Sequence, residues 1–273
     1  MMRRLLITCA FLLLAEAALA AEGGCGTETA AIIAQAYPTA EKTSETEFVA
    51  DGATIFVPEE EKGSGDGRHP VVCRIWPSYP ERLLVAIPLI TQVSETQTTG
   101  DLELLVLDAS TLKVQQRLRL KERIVDDAIA IKSITFDTAR YQLADRQIAF
   151  GLRLAKEGAS RVNPIEEVSL SLYTIGSGQL KPVLDGIVVI SGSGEWDGSC
   201  AGTFTRTTRT LAMGKIGASG YADIVVTEKT SSSTAAVDKK GDCGERSRND
   251  VTARTRLSHD GKRYPVPEAL RPF

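Results

Sequence analysis

Histidine is the scarcest chemistry-bearing residue of this chain: only His69 and His259 occur among 273 residues. A serine nucleophile needs a base to take its proton, and histidine is the usual one. His69 precedes Pro70 in a charged stretch, and His259 lies in Ser258-His259-Asp260-Gly261, which reads as a hairpin turn. No G-x-S-x-G elbow occurs; Ser191-Gly192-Ser193-Gly194 spaces its glycines differently, and no helix follows it. No C-x-x-C pair occurs either, so a metal site is not expected, and no cofactor is expected. Asp238 and Asp242, around Lys239-Lys240-Gly241, fall short of a calcium loop. Concentrated positive charge is missing too. The formal net charge is −3, which does not suit nucleic acid. Long apolar runs are absent after the N-terminus. The longest, Leu83 to Ile90, contains Pro88, and a span needs roughly 20 residues.

The N-terminus is different. Arg3 and Arg4 precede an apolar run from Leu5 to Ala15, then Ala17-Ala18-Leu19-Ala20. Basic start, short apolar core and A-x-A end are the order of a secretory signal peptide over residues 1–20. Cleavage after Ala20 predicts a mature chain of residues 21–273, read as one β-rich globular domain without a transmembrane segment. Arg3, Arg4 and Glu16 leave with the leader, so 32 basic and 35 acidic residues become 30 and 34. Cys25 follows Glu22-Gly23-Gly24, which lacks the leucine of a lipid-attachment site. A periplasmic or secreted location follows. Cys25, Cys73, Cys200 and Cys243 remain after export, and an even number in an oxidising compartment implies two disulfides. Four cysteines allow three pairings. Short loops close more easily, which favours Cys25–Cys73 with Cys200–Cys243.

Thr27 to Ala36 is predicted as a helix, with Thr27 as cap and Pro38 as stop. The remainder reads as about twelve to fourteen strands. Ile148, Phe150, Leu152 and Leu154 alternate with Ala149, Gly151, Arg153 and Ala155; Val168, Leu170 and Leu172 alternate with serines; Ala222, Ile224 and Val226 line one side of another run. Period two marks half-buried antiparallel strands. Leu102 to Leu107 is apolar on nearly both faces and predicts an interior strand. Leu102–Leu118 aligns without gaps onto the stretch 66 residues later, so a repeated hairpin is one reading of both. The fold class is all-β, built of antiparallel meanders and hairpins, propeller-like or a β-sandwich, with one short N-terminal helix. The charged, Gly-rich or serine-rich stretches near 58–70 and 230–250 predict mobile loops.

Glu195 and Asp197 flank Trp196, one of only two tryptophans, in a Gly-rich segment ending at Cys200. An aromatic face beside acids suits a sugar or peptide contact, and paired carboxylates are what glycosidase chemistry requires. The plainer reading is a loop pinned by the Cys200 disulfide. Arg117, Arg119, Lys121 and Arg123 alternate, so a strand places them on one face, and Arg206 and Arg209 lie in the Thr-rich run Thr203 to Thr210. Such basic stripes could receive an acidic partner; the plainer reading is a solvated sheet face or an edge protected by charge.

Several segments form a familiar set: Trp76-Pro77, Leu83 to Pro88, Asp101 to Val106, Asp137 to Tyr141, Leu143-Ala144, Ala149-Phe150-Gly151 and Gly194 to Asp197. Together they resemble an uncharacterised family of exported proteobacterial proteins. That resemblance implies an envelope protein and brings no activity, cofactor or catalytic residue. The functional expectation is a non-enzymatic binding protein whose partner is another envelope protein, a glycan or an enzyme it inhibits. The alternatives are a hydrolase acting on a sugar or peptide through carboxylates near Trp196, and an assembly factor with a long exposed sheet edge.

Overall fold

The computed structural model describes residues 25–58, 68–176 and 178–273. The leader reading of residues 1–20 lies outside them, as do residues 59–67 of the expected 58–70 loop. A 3₁₀ turn, Gly26–Glu28, leads into α1 (Thr29–Ala36). Then come β1 (Glu41–Lys42), β2 (Glu47–Ala50), β3 (Ala53–Phe56), β4 (Val72–Ile75), β5 (Arg82–Val93), β6 (Thr98–Asp108) and β7 (Val114–Asp126). They form one seven-stranded sheet in the order β1-β2-β3-β5-β6-β7, with β4 also on β5. The second sheet is a plain antiparallel meander of β8 (Ile129–Ala144), β9 (Gln147–Gly158), β10 (Ile165–Gly176), β11 (Gln179–Trp196), β12 (Gly202–Ile216), β13 (Ala222–Val237) and β14 (Cys243–Leu257). The fold is therefore mainly antiparallel β in two sheets, not the radial blades of a propeller.

Alternation sorts the central strands onto two cores. Val85, Ile87 and Leu89 of β5 and Leu105 and Leu107 of β6 face Ile32, Ile33 and Ala36 of α1. Leu84, Ala86, Leu102, Leu104 and Val106 face the second sheet, meeting Ile131, Phe150, Leu152 and Tyr173. This explains why Leu102–Leu107 is apolar on both faces. Trp76 sits fully buried at the junction, edge-on to Tyr79 at 4.7 Å and to Phe150 at 5.1 Å between ring centroids. A third core gathers Leu170, Leu172, Ile187, Ile224, Val226 and Leu257 under Tyr264, Val266 and Leu270 of the C-terminal segment. The Tyr264 amide donates to the Val183 carbonyl and its hydroxyl to that of Ala222.

Local details differ from the sequence reading. The helix starts two residues later than expected, and the Thr29 hydroxyl, not Thr27, donates back to the Gly26 carbonyl. The stretch 230–250 is not a loop but the adjoining ends of β13 and β14, with only Asp238–Asp242 turning between them. Its polarity misled because both strand faces there are wet, whereas Thr and Val keep their β preference. The two hairpins 66 residues apart pair differently: Leu104 opposes Leu118, but Leu172, not Leu170, opposes Leu184. Shared apolar pattern, not a common register, underlies their alignment.

Buried charge is spent on holding layers together. Tyr37 hydrogen-bonds Glu103, and Arg117 reaches both Glu103 and the Ala36 carbonyl at the end of α1. A cation at a helix C-terminus offsets its unpaired carbonyls. Asp137 accepts from Arg153, Tyr141 and the Ala139 amide. Burial works to raise its carboxyl pKa, but the Ala139 amide and Arg153 outweigh it and hold the group below its ordinary value. Its stabilisation is thus complete above about pH 4 and disappears as pH falls through the lowered folded value. Asp137→Asn should cost about 2–4 kcal/mol at neutral pH in urea unfolding, and the gap from wild type should close below about pH 4. A pH-independent gap would show that the charge is not the cause. Phe150→Ala, emptying the inter-sheet core, should cost about 3–5 kcal/mol in the same assay.

Candidate functional site

The ends of β11 to β14 near the 197–201 and 238–242 turns have no core on either side, and their composition follows from that. β12 reads Thr203-Phe204-Thr205-Arg206-Thr207-Thr208, and β13 reads Thr230-Ser231-Ser232-Ser233-Thr234. Directly opposed residues of an antiparallel sheet share a face. One such row is Glu166–Gly192–Arg206–Ser231–Asp250. The next towards the turns is Gly194–Phe204–Ser233–Arg248, and the third is Trp196–Gly202–Ala235–Glu245.

Glycines shape this face. A Cβ on Gly192 would lie 2.5 Å from the Glu166 carboxylate. One on Gly194 would lie 2.6 Å from the Phe204 ring, and one on Gly202 would lie 2.9 Å from the same ring. The half-buried Phe204 therefore lies down over two glycines. Arg206 reaches across Gly192 to pair with Glu166. The result is a groove of ≈ 530 Å³ bounded by Glu157, Ile165 and Glu166 on one side and by Phe204, Arg206, Ser231, Ser233 and Arg248 on the other. A second hollow of ≈ 430 Å³ continues past Arg206 and Arg248 to Lys229 and Thr252. Asp250 accepts from Arg248 at 3.2 Å; the Ser231 hydroxyl and Arg248 hold its carboxyl below the usual range.

The sequence-predicted trio is partly brought to this face. Trp196 is half-buried and lies in the rows just described. Glu195 is exposed and, by alternation, belongs to the opposite side of β11. Asp197 is also exposed and caps its own turn, accepting from the Ser199 and Cys200 amides at 2.8 Å each, which holds its carboxyl below the ordinary value. Around the trio there is only a shallow hollow bordered by Val162, Asn163, Thr203, Thr234 and Ala235. Cys200 bonds Cys243, tying the β11–β12 turn to the start of β14, and Cys25 bonds Cys73, tying the approach to α1 to β4. This is the pairing that loop length favours.

The other singled-out residues serve the fold. His69, expected in a mobile loop, is buried beside Asp126 at 2.6 Å, and Asp126 also accepts the Ile131 amide. His259 lies in a turn as predicted, but it is buried and stacked on Tyr221 at 3.8 Å, with burial holding its imidazole below the ordinary value. The basic stripe is ion-paired as well as partly solvated: Arg119 and the exposed Lys121 meet Asp101, Arg117 meets Glu103, and Arg123 meets Asp185. Among the described residues no group of three or more His, Cys, Asp or Glu could hold a metal ion, and no helix is long and apolar enough to cross a membrane.

Sequence reasoning missed Phe204, Arg206 as a groove wall, and Glu166. Their signal was present as Gly192, Gly194 and Gly202, but only strand register shows which large side chains lie over which glycines. Fold and site together define a disulfide-stapled, two-sheet β protein with an open polar face. The chain matches no family model, no curated protein and no solved structure. Replacing Cys200 and Cys243 with serine should loosen the β11–β12 and β13–β14 turns without unfolding the cores. Amide exchange should quicken at Asp238–Asp242 while the Tyr264 amide stays protected; exchange at Asp238–Asp242 unchanged from wild type would mean the staple is redundant.

Proposed function

We propose that this is an exported, non-enzymatic binding protein whose ligand occupies the groove over Gly192 and Gly194. The carrying observation is that groove itself: an open trough floored by the Phe204 ring lying on glycine backbone and bordered by two arginines and serine hydroxyls. Open troughs with convergent polar groups suit recognition. Export rests on the leader-like N-terminus and agrees with two disulfides, which persist in oxidising compartments. The hydrolase alternative loses support from the same geometry, because Asp197 is occupied in capping a turn and Glu195 belongs to the opposite side of β11.

An exposed edge favours a second reading, assembly through strand pairing. β14 is fifteen residues long, mostly exposed, and unpaired on its outer side among the described residues. Its charges oppose pairing of two copies: antiparallel pairing centred on Val251 would set Arg248 against Arg254 and Arg246 against Arg256. Charged side chains are a common way to keep an edge from pairing. Binding through the groove is therefore the better-supported reading.

Ser233→Trp should fill the trough from a half-buried position that no core cluster includes. Wild type should co-sediment saturably with isolated cell-envelope material, and Ser233→Trp should do so at least about tenfold more weakly, with unchanged thermal unfolding. Failure of wild type to bind, or equal binding by the variant, would remove the groove as the binding surface.

A further inference from the structure

On the reading that the groove binds a ligand, we infer that the ligand is an acidic polysaccharide, a chain of sugar rings carrying carboxylates, lying along the strands from Trp196 to Lys229. Three observations carry this. The first is length. The rows through Trp196, Phe204, Arg206 and Thr208 step along β11 and β12 two residues at a time, about 7 Å per step, so the track runs for about 20 Å. Hollows adjoin it from Phe204 to Lys229 and open onto solvent. That is room for a chain rather than a closed pocket for one small molecule.

The second is the aromatic floor. Phe204 lies over Gly194 and Gly202 and is half-buried, with Trp196 half-buried in the row beyond. An aromatic face is electron-rich, and the C–H bonds on the flat face of a sugar ring are polarised to meet it. Ser233 stands opposite Phe204, and Ser231 and Thr208 follow one and two rows along, offering hydroxyls that both donate and accept, as sugar hydroxyls require.

The third is charge. On this face Arg206 meets Glu166, Arg256 meets Asp223, and Arg248 meets both Asp250 and Glu245. Lys229 and Arg254 lie in adjacent rows on the same face and have no ion-pair partner among the described residues. These two unpaired cations lie together at the Thr252 end of the face, while Glu157 edges the opposite rim. A neutral glycan would leave those cations unanswered. A ligand with carboxylates along one side of the chain answers them and avoids Glu157.

Affinity electrophoresis and calorimetry on the full exported protein would test this with four probes: polygalacturonate, dextran, polyglutamate and oligo(dT). Polygalacturonate should bind best, more weakly at higher salt. Lys229→Glu and Phe204→Ala should each weaken it about tenfold. If Phe204→Ala misfolds, Lys229→Glu on its exposed site carries the test together with polyglutamate, which has the charge without the rings. Equal binding of polyglutamate, preference for dextran or oligo(dT), or no binding of polygalacturonate would each overturn the acidic-glycan assignment. Loss of this assignment while envelope binding still depends on residue 233 would leave the groove as a binding surface for another ligand.

Discussion

The structure depends on β5 and β6 being buried on both faces. Their odd- and even-numbered side chains serve two different cores, one beneath α1 and one against the second sheet. A strand in that position has no solvent face, so it needs apolar residues throughout and partners above and below. Both partners are secured accordingly. α1 is too short to persist alone. It is held by the Cys25–Cys73 bond at its entry and by the Tyr37–Glu103–Arg117 contacts at its exit. The second sheet is held by the aromatic contacts among Trp76, Tyr79, Phe150 and Tyr173.

The same second sheet outgrows the first. Its strands reach 18 residues in β11, well beyond what the inter-sheet core can cover. Past that limit the hydrophobic requirement lapses, and Thr, Ser and Arg replace Leu and Val without loss of strand structure. This division separates the parts of the molecule that maintain the fold from the face free to recognise something. The Cys200–Cys243 bond sits where the sheet has no core of its own and supplies covalently what packing does not.

Much of the fold was legible in the sequence. The alternation of β9 and the double-sided burial of β6 follow from period and hydrophobicity, and loop length favoured the disulfide pairing among three without deciding it. The strands of 230–250 were hidden because polarity on both faces looks the same for a wet strand and for a loop. The ion pairs of the basic stripe were also hidden. Arg117, Arg119, Lys121 and Arg123 read as a solvated face because their partners Asp101, Glu103 and Asp185 lie 14 or more positions away in sequence. Trp196 drew notice by rarity and Arg206 by its charge in a run of threonines, whereas Phe204 in the same run looked ordinary.

What the sequence alone determined is the all-β, antiparallel class with one short helix, the four cysteines available for stapling, and the scarcity of histidine. Those follow from local periodicity and composition. Only the tertiary structure decided that Trp196, Phe204, Arg206 and Glu166 share one face while Glu195 and Asp197 do not. Register and twist set that division. A side chain's face depends on which residue stands opposite it, and a single bulge, such as the one in β11 between Val188 and Ile190, shifts every pairing beyond it.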